Sequence, residues 1–219
     1  EAVFNGAGGQ TTLNFWKQGV QEGWLLNTGR VSGDADNAFK AGKYAITLQS
    51  TATLRNYLNG LADNHHELGT GFLPRDATAE KGGVIIGGAS LWMLKDHPDA
   101  ELKATWELVK FLSSPEQQAY WHIQTGYFPI RKSAYDVPAD KDWVAKYPQF
   151  KTAIDQLHAA PDGLPEQGAV IGVFPQARQA TENAIENAIL NKQPVKDSLD
   201  AAAKEVTGAI QQYNKTAGL

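Results

Sequence analysis

Apolar positions recur mostly at helical spacing along this 219-residue chain, and that pattern predicts most of its elements. In "QTTLNFWKQGVQEGWL" the residues Leu13, Trp16 and Val20 share one face, and Thr11 or Thr12 suits the start, so a short amphipathic helix is expected. "TATLRNYLNGL" repeats the pattern with Leu54, Leu58 and Leu61, and a stripe of Leu102, Trp106, Val109 and Phe111 or Leu112 predicts a further helix. The next opens with "SSPEQ", where Ser114 suits the N-cap, Pro115 the first helical position and Gln117 the capping-box return, and Gly126 should end it. "KDWVAKYPQFKTAIDQLHAA" reads as helices broken around Pro148. Residues 177–190 and 195–213 are helical again, the second run carrying Leu199, Val206 and Ile210.

Between these lie shorter apolar runs. "ADNAFKAGKYAITLQST" predicts a helical turn around Phe39, a stop at Gly42 and a strand over 44–48 that delivers Ser50 and Thr51 just beyond its end. "ELGTGFLPR" predicts a strand ending at Pro74, "DATAEKG" a polar crossover, and "GGVIIGGASLWML" a strand interrupted by Gly87 and Gly88, the mark of a bulge or of a close backbone approach. "PDGLPEQGAVIGVFPQ" reads as extended. Strands alternating with helices predict an α/β protein with mainly parallel pairing.

Composition acts mainly by exclusion. With 42% hydrophobic and 20% charged residues the chain should fold, and its length admits one large domain or two small ones. A net charge of −4 without a run of Lys or Arg argues against nucleic acid as a partner. The absence of cysteine removes disulfides, thiolate metal sites and Cys nucleophiles, and leaves the compartment open. No window has the apolar length of a membrane span and no signal peptide is present. The start at Glu1 without an initiator Met is expected of a processed end or of a cut within something longer.

Catalytic patterns such as "GxSxG", "HExxH" or a Walker A loop are not met, so no enzyme activity and no cofactor or metal is expected. Adjacent His65 and His66 point differently on any regular element and read as a solvated loop rather than a metal site. Trp16, Trp106 and Trp121 lie on helical stripes and read as core. Trp92, beside the Gly-Gly strand, is placed to meet a ligand.

Small polar and aromatic residues at element ends are the remaining candidates, each with a plainer alternative. Ser50 and Thr51 begin a helix where backbone N–H groups and the helix dipole favour an anion, although Ser50 also suits a cap. Gly88 permits a ligand close to the main chain, or is a bulge. Tyr127 follows a helix and offers a ring face and a hydroxyl, or anchors a core edge. Arg178 starts a helix, where a cation works against the dipole; a bound anion would explain it, and so would pairing with Glu182 on the same helix.

The series "AGKYAITLQST", "VIIGGASLWML", "SSPEQQAYWHIQTGYFPIRKSAYD" and "VFPQAR" resembles, in order and spacing, the later part of ABC-transporter solute-binding proteins of the sn-glycerol-3-phosphate-binding type. "GGASLW", "WH" followed by "TGYFPI", and "PQAR" carry the likeness. It implies a type II periplasmic-binding-protein fold, α/β with two lobes joined by a hinge, here an incomplete C-terminal portion. Residues 1–82 would belong to the second lobe, 83–133 to the first, and 134–219 to the second again with the terminal helices. The implied function is capture of a small phosphorylated polyol, glycerol-3-phosphate or a glycerophosphodiester, for an ABC permease. The implied contacts are a Ser50 hydrogen bond, Gly88 backbone, Tyr127 and a forked Arg178 contact to phosphate, with Thr51 and Trp92 as secondary candidates. "STAT" stands where the relatives read "SSGS", which keeps hydroxyls but removes a glycine. The missing N-terminal portion would come from a separate chain or a swapped copy, since apolar edges around 85–94 and the cleft face would otherwise meet water. The location implied is periplasmic or extracellular, with anchoring through an absent N-terminal segment one form of it. An oligosaccharide binder of the same family and a hydrolase acting on a phosphodiester are the alternatives.

Overall fold

The structure, a computed structural model, describes residues 1–75, 83–161, 163, 168 and 170–218. Its helices are α1 (Ala7–Glu22), α2 (Ser32–Lys40), α3 (Leu54–Asp63), α4 (Asp99–Leu112), α5 (Pro115–Thr125), α6 (Pro138–Lys146), α7 (Gln149–Ala159), α8 (Phe174–Ile189) and α9 (Val195–Ala217), with 3₁₀ turns at Thr51–Thr53 and Lys132–Asp136. Among the described residues no helix is long and apolar enough to cross a membrane. The chain divides into two compact units, Glu1–Ala35 with Ala169–Leu219, and Asp36–Gly168.

The first unit is built on the α8–α9 hairpin. Ala180, Ala184 and Ala188 recur every four residues on α8 and meet Val195, Leu199, Ala202 and Val206 of α9, with Leu13 of α1 completing the buried cluster. Alanine on the facing stripe lets the helices approach closely, and Trp16, Ile185 and Ile210 seal the edges. Arg30, on the segment after α1, reaches α8 from outside: its Nε and Nη2 fork onto Glu186 at 2.6 and 2.7 Å, and Nη1 meets Glu182 at 3.1 Å. This contact holds the Glu186 carboxyl below its ordinary range, mainly through the hydrogen bond. Helix α1 begins four residues before the predicted threonines. Gly6 is its N-cap, and Thr12 lies inside it, donating back to the Gly8 carbonyl at 3.0 Å.

In the second unit Leu54 and Leu61 of the predicted α3 stripe pack with Tyr57, Leu68 and Phe150, while Leu58, the third of that stripe, is only partly buried against them, beside Trp143 and Tyr147. Local stop signals act where expected. Gly42 is left-handed after α2, Ser114 caps α5 with Pro115 at its first position, Gly126 ends it, and Pro148 separates α6 from α7. The adjacent histidines lie in an exposed turn, His65 at a φ of 58°.

The strands do not form. Residues 44–48, 67–75 and 83–94 contain no strand, and among the described residues no ladder exists for them to join. A strand is stable only when a neighbour takes its backbone hydrogen bonds. At Leu68 and Leu73 side chains of α7 take backbone groups: Gln149 donates to the Leu68 carbonyl at 2.6 Å and Gln156 both accepts from and donates to the Leu73 backbone at 2.8 and 3.0 Å, while Thr152 and Thr70 meet through their hydroxyls at 2.7 Å. Residues 149, 152 and 156 share one face of that helix, so an extended chain lies along it.

The predicted core role of two tryptophans is also corrected. Trp106 and Trp121 are each 52% exposed, and no residue of α4 is buried. Together with Ile85, Ile86, Leu91 and Trp92 they leave a large apolar surface in contact with water. The stripe on α4 is real, but among the described residues it is covered only in part: Leu102 and Val109 are half-buried, while Trp106, Phe111 and Leu112 are exposed. The predicted crossover at 76–82 and much of the extended segment at 161–169 lie outside the described residues.

Candidate functional site

Asp36, inside α2, sets the place of Ser50. Its Oδ1 accepts from the Tyr57 hydroxyl at 2.5 Å and from Gln49 Nε2 at 2.8 Å, and Gln49 Oε1 accepts the Ser50 N–H at 2.8 Å. Burial and the Asp36 carboxylate push the Tyr57 hydroxyl up to about 12, so it remains a donor at any ordinary pH. Ser50 then caps the 3₁₀ turn: its Oγ accepts the Ala52 N–H at 3.2 Å, while its carbonyl accepts from the Thr53 N–H and hydroxyl. Capping uses an acceptor lone pair and leaves the exposed hydroxyl hydrogen available. The cap is thus observed, and it does not use up the hydrogen-bonding capacity of the Ser50 hydroxyl.

Tyr127 is carried by α5. Gly126, at a φ of 96°, donates its N–H to the His122 carbonyl at 2.8 Å and turns the chain out, and the Tyr127 N–H is taken by Thr125 Oγ1 at 3.0 Å. The ring, 38% exposed, sits 6.4 Å from that of Trp121. Two aromatic faces are thereby offered at one helix end. The same turn packs on Thr51: a Cβ at Gly126 would lie 2.5 Å from the Thr51 carbonyl oxygen. The fold thus brings Ser50, Thr51 and Tyr127 into one neighbourhood.

Gly88 and Trp92 lie on the segment that precedes α4. Gly88 has a φ of 151°, a conformation that glycine alone adopts readily, yet a side chain there would meet nothing within 4 Å. Its need is conformational rather than steric. Trp92, 85% exposed, borders a shallow depression with Met93, Leu94, His97 and Thr105.

Arg178 belongs to the first unit. Glu182, its expected partner, is bound by Arg30 instead, and among the described residues no carboxylate pairs with Arg178. Its guanidinium lies 5.7 Å from the centre of the Phe174 ring, at the edge of a mainly apolar groove that Phe4, Ala177, Val206 and Ile210 help to line.

One buried polar pair escapes sequence reasoning. His122 and Asp140 are 0% and 1% exposed, with Nδ1 and Oδ1 2.8 Å apart, and His122 Nε2 lies 3.3 Å from the Phe150 carbonyl. Burial raises the Asp140 carboxyl above its ordinary range, against the opposing pull of His122. The pair ties α5 to α6 and α7 one turn before Tyr127. The only sequence signal was the spacing of Ala119, His122 and Gly126 along one face of the helix. Nearby, Arg55 stacks on Trp143 at 4.3 Å. Among the described residues no group of three His, Cys, Asp or Glu side chains could hold a metal ion.

Hydroxyls, ring faces and backbone at element ends offer hydrogen bonds and stacking, the chemistry of a ligand-binding module. The chain belongs to the bacterial extracellular solute-binding protein family, whose model matches residues 1–152; these are binding proteins rather than enzymes. The sn-glycerol-3-phosphate-binding periplasmic protein UgpB of Escherichia coli is 30% identical over 185 residues, which is 84% of this chain and 42% of that protein. Its namesake from Pectobacterium atrosepticum is 30% identical over 180 residues, covering 81% and 40%. A crystal structure of UgpB from Mycobacterium tuberculosis in complex with glycerophosphocholine superposes with a TM-score of 0.77 at 22% identity, over 96% of this chain and 50% of that one. The fold is therefore shared with that protein. The chain spans less than half the length of the curated relatives it matches.

Proposed function

We propose that this chain is the C-terminal portion of the solute-binding component of an ABC importer, with the two-lobed type II periplasmic-binding-protein fold, and that it captures a small phosphorylated polyol such as glycerol-3-phosphate or a glycerophosphodiester between the lobes. In this reading 1–82 and 134–219 belong to the second lobe and 83–133 to the first. Ser50, Gly88, Tyr127 and Arg178 contact the solute, and Thr51 and Trp92 lie beside it. The observation that carries the reading is the state of Arg178: Glu182 is bound by Arg30, and among the described residues no carboxylate makes an ion pair with Arg178, so its guanidinium keeps the capacity to fork onto a phosphate. The names of the relatives support the same ligand class. The water-exposed apolar face of α4 and 85–94 supports a covering N-terminal portion of the protein, supplied with this chain, as a separate chain or by a swapped copy. Delivery would be to a membrane permease by hinge closure, in the periplasm or outside the cell, with or without a membrane anchor.

Calorimetric titration of the full-length protein with sn-glycerol-3-phosphate, glycerophosphocholine and maltose tests this. Heat is expected with at least one phosphate compound, and Arg178→Ala should weaken it about tenfold or more. Absence of heat with both phosphates refutes the reading. The exposed rings of Trp92, Trp121 and Tyr127 favour one second reading, an oligosaccharide binder, for which maltose would bind and Arg178→Ala would change nothing.

A further inference from the structure

We infer that Gly126 is a positioning residue for solute capture: because it has no side chain, the turn carrying Tyr127 packs directly against the turn carrying Ser50 and Thr51, which sets the spacing of the polar and aromatic groups that meet one solute. The inference rests on the functional reading above. A Cβ at Gly126 would fall 2.5 Å from the Thr51 carbonyl oxygen and 2.8 Å from Leu54 Cβ, closer than such atoms approach in folded proteins. Neither neighbour can yield. The Thr51 oxygen is held in the 3₁₀ turn by the Leu54 N–H, and Leu54 is a buried member of the core. On the other side, α5 is pinned through His122 to Asp140 and Phe150. An added methyl group must therefore open the gap between the two turns. Gly23, which ends α1 at a φ of 80°, and Gly88 differ in this respect, because each would place a Cβ in open space. They need only the backbone conformation, whereas Gly126 needs both conformation and closeness.

The test uses the full-length protein and glycerophosphocholine, with Gly126→Ala and Gly126→Asn. Asparagine tolerates the left-handed conformation and keeps the variant folded, but it carries the same Cβ. Both variants should bind about tenfold more weakly, the loss of roughly one good hydrogen bond. On a Tyr127→Ala background neither should weaken binding further, because the residue acts through that ring. If Gly126→Asn binds like the wild type, or if the loss persists in full without Tyr127, the inference is overturned while the functional reading stands. If the wild type itself binds neither phosphate compound, the functional reading fails and this inference falls with it.

Discussion

Replacing His122 with alanine isolates the buried pair at the root of the Tyr127 turn. The change strands the Asp140 carboxylate in a site 1% exposed, where Oδ2 already has no described partner, and removes the ring that stands edge-on to Phe150 and Tyr135 at 5.7 and 5.9 Å. Leaving a buried carboxylate without its hydrogen-bonded partner costs about 3–5 kcal/mol, set against a total stability of roughly 5–15 kcal/mol for a domain. Asp140→Asn keeps the shape and an acceptor for Nδ1, so it should cost only about 1–2 kcal/mol. Urea unfolding of the full-length protein, followed by circular dichroism, measures both. The pH dependence has a definite sign. Burial raises the Asp140 carboxyl, so its contribution to stability is full below the ordinary carboxylate range and is lost as pH rises through the raised value. Without His122 the opposing pull disappears and the rise is larger. The deficit of His122→Ala should therefore shrink as pH is lowered from about 7 towards 4. Equal costs for the two variants, or a deficit that grows on acidification, would refute the reasoning.

Other changes probe the first unit. Gly9→Ala would set a Cβ 1.8 Å from the Phe4 carbonyl oxygen and should destabilise by about 1–3 kcal/mol, whereas Gly208→Ala, in α9 with open space around it, should stabilise by about 0.5–1 kcal/mol; thermal melts decide both. Arg30→Ala should have a small effect that fades as salt is added, since the ion pairs are partly exposed. Because Arg30 holds the Glu186 carboxyl low, the stability it brings is present above the ordinary carboxylate range and lost as pH falls through the depressed value, so acid melting curves of variant and wild type should converge.

Local signals are what the sequence by itself determined. Ser114 and Pro115 start α5, Gly126 stops it and Pro148 separates α6 from α7, because each depends on groups within a turn or two. The positions of Ser50 and Tyr127 at element ends were legible for the same reason. Burial and pairing were not. Trp106 and Trp121 lie on apolar stripes yet face water, and the apolar runs at 44–48 and 83–94 form no strand, because a stripe is buried, and a strand made, only by a partner distant in sequence. Only the tertiary structure closed His122 on Asp140, diverted Glu182 from Arg178 to Arg30, and set Gly126 against Thr51. These contacts join residues far apart along the chain, whose meeting no local pattern encodes.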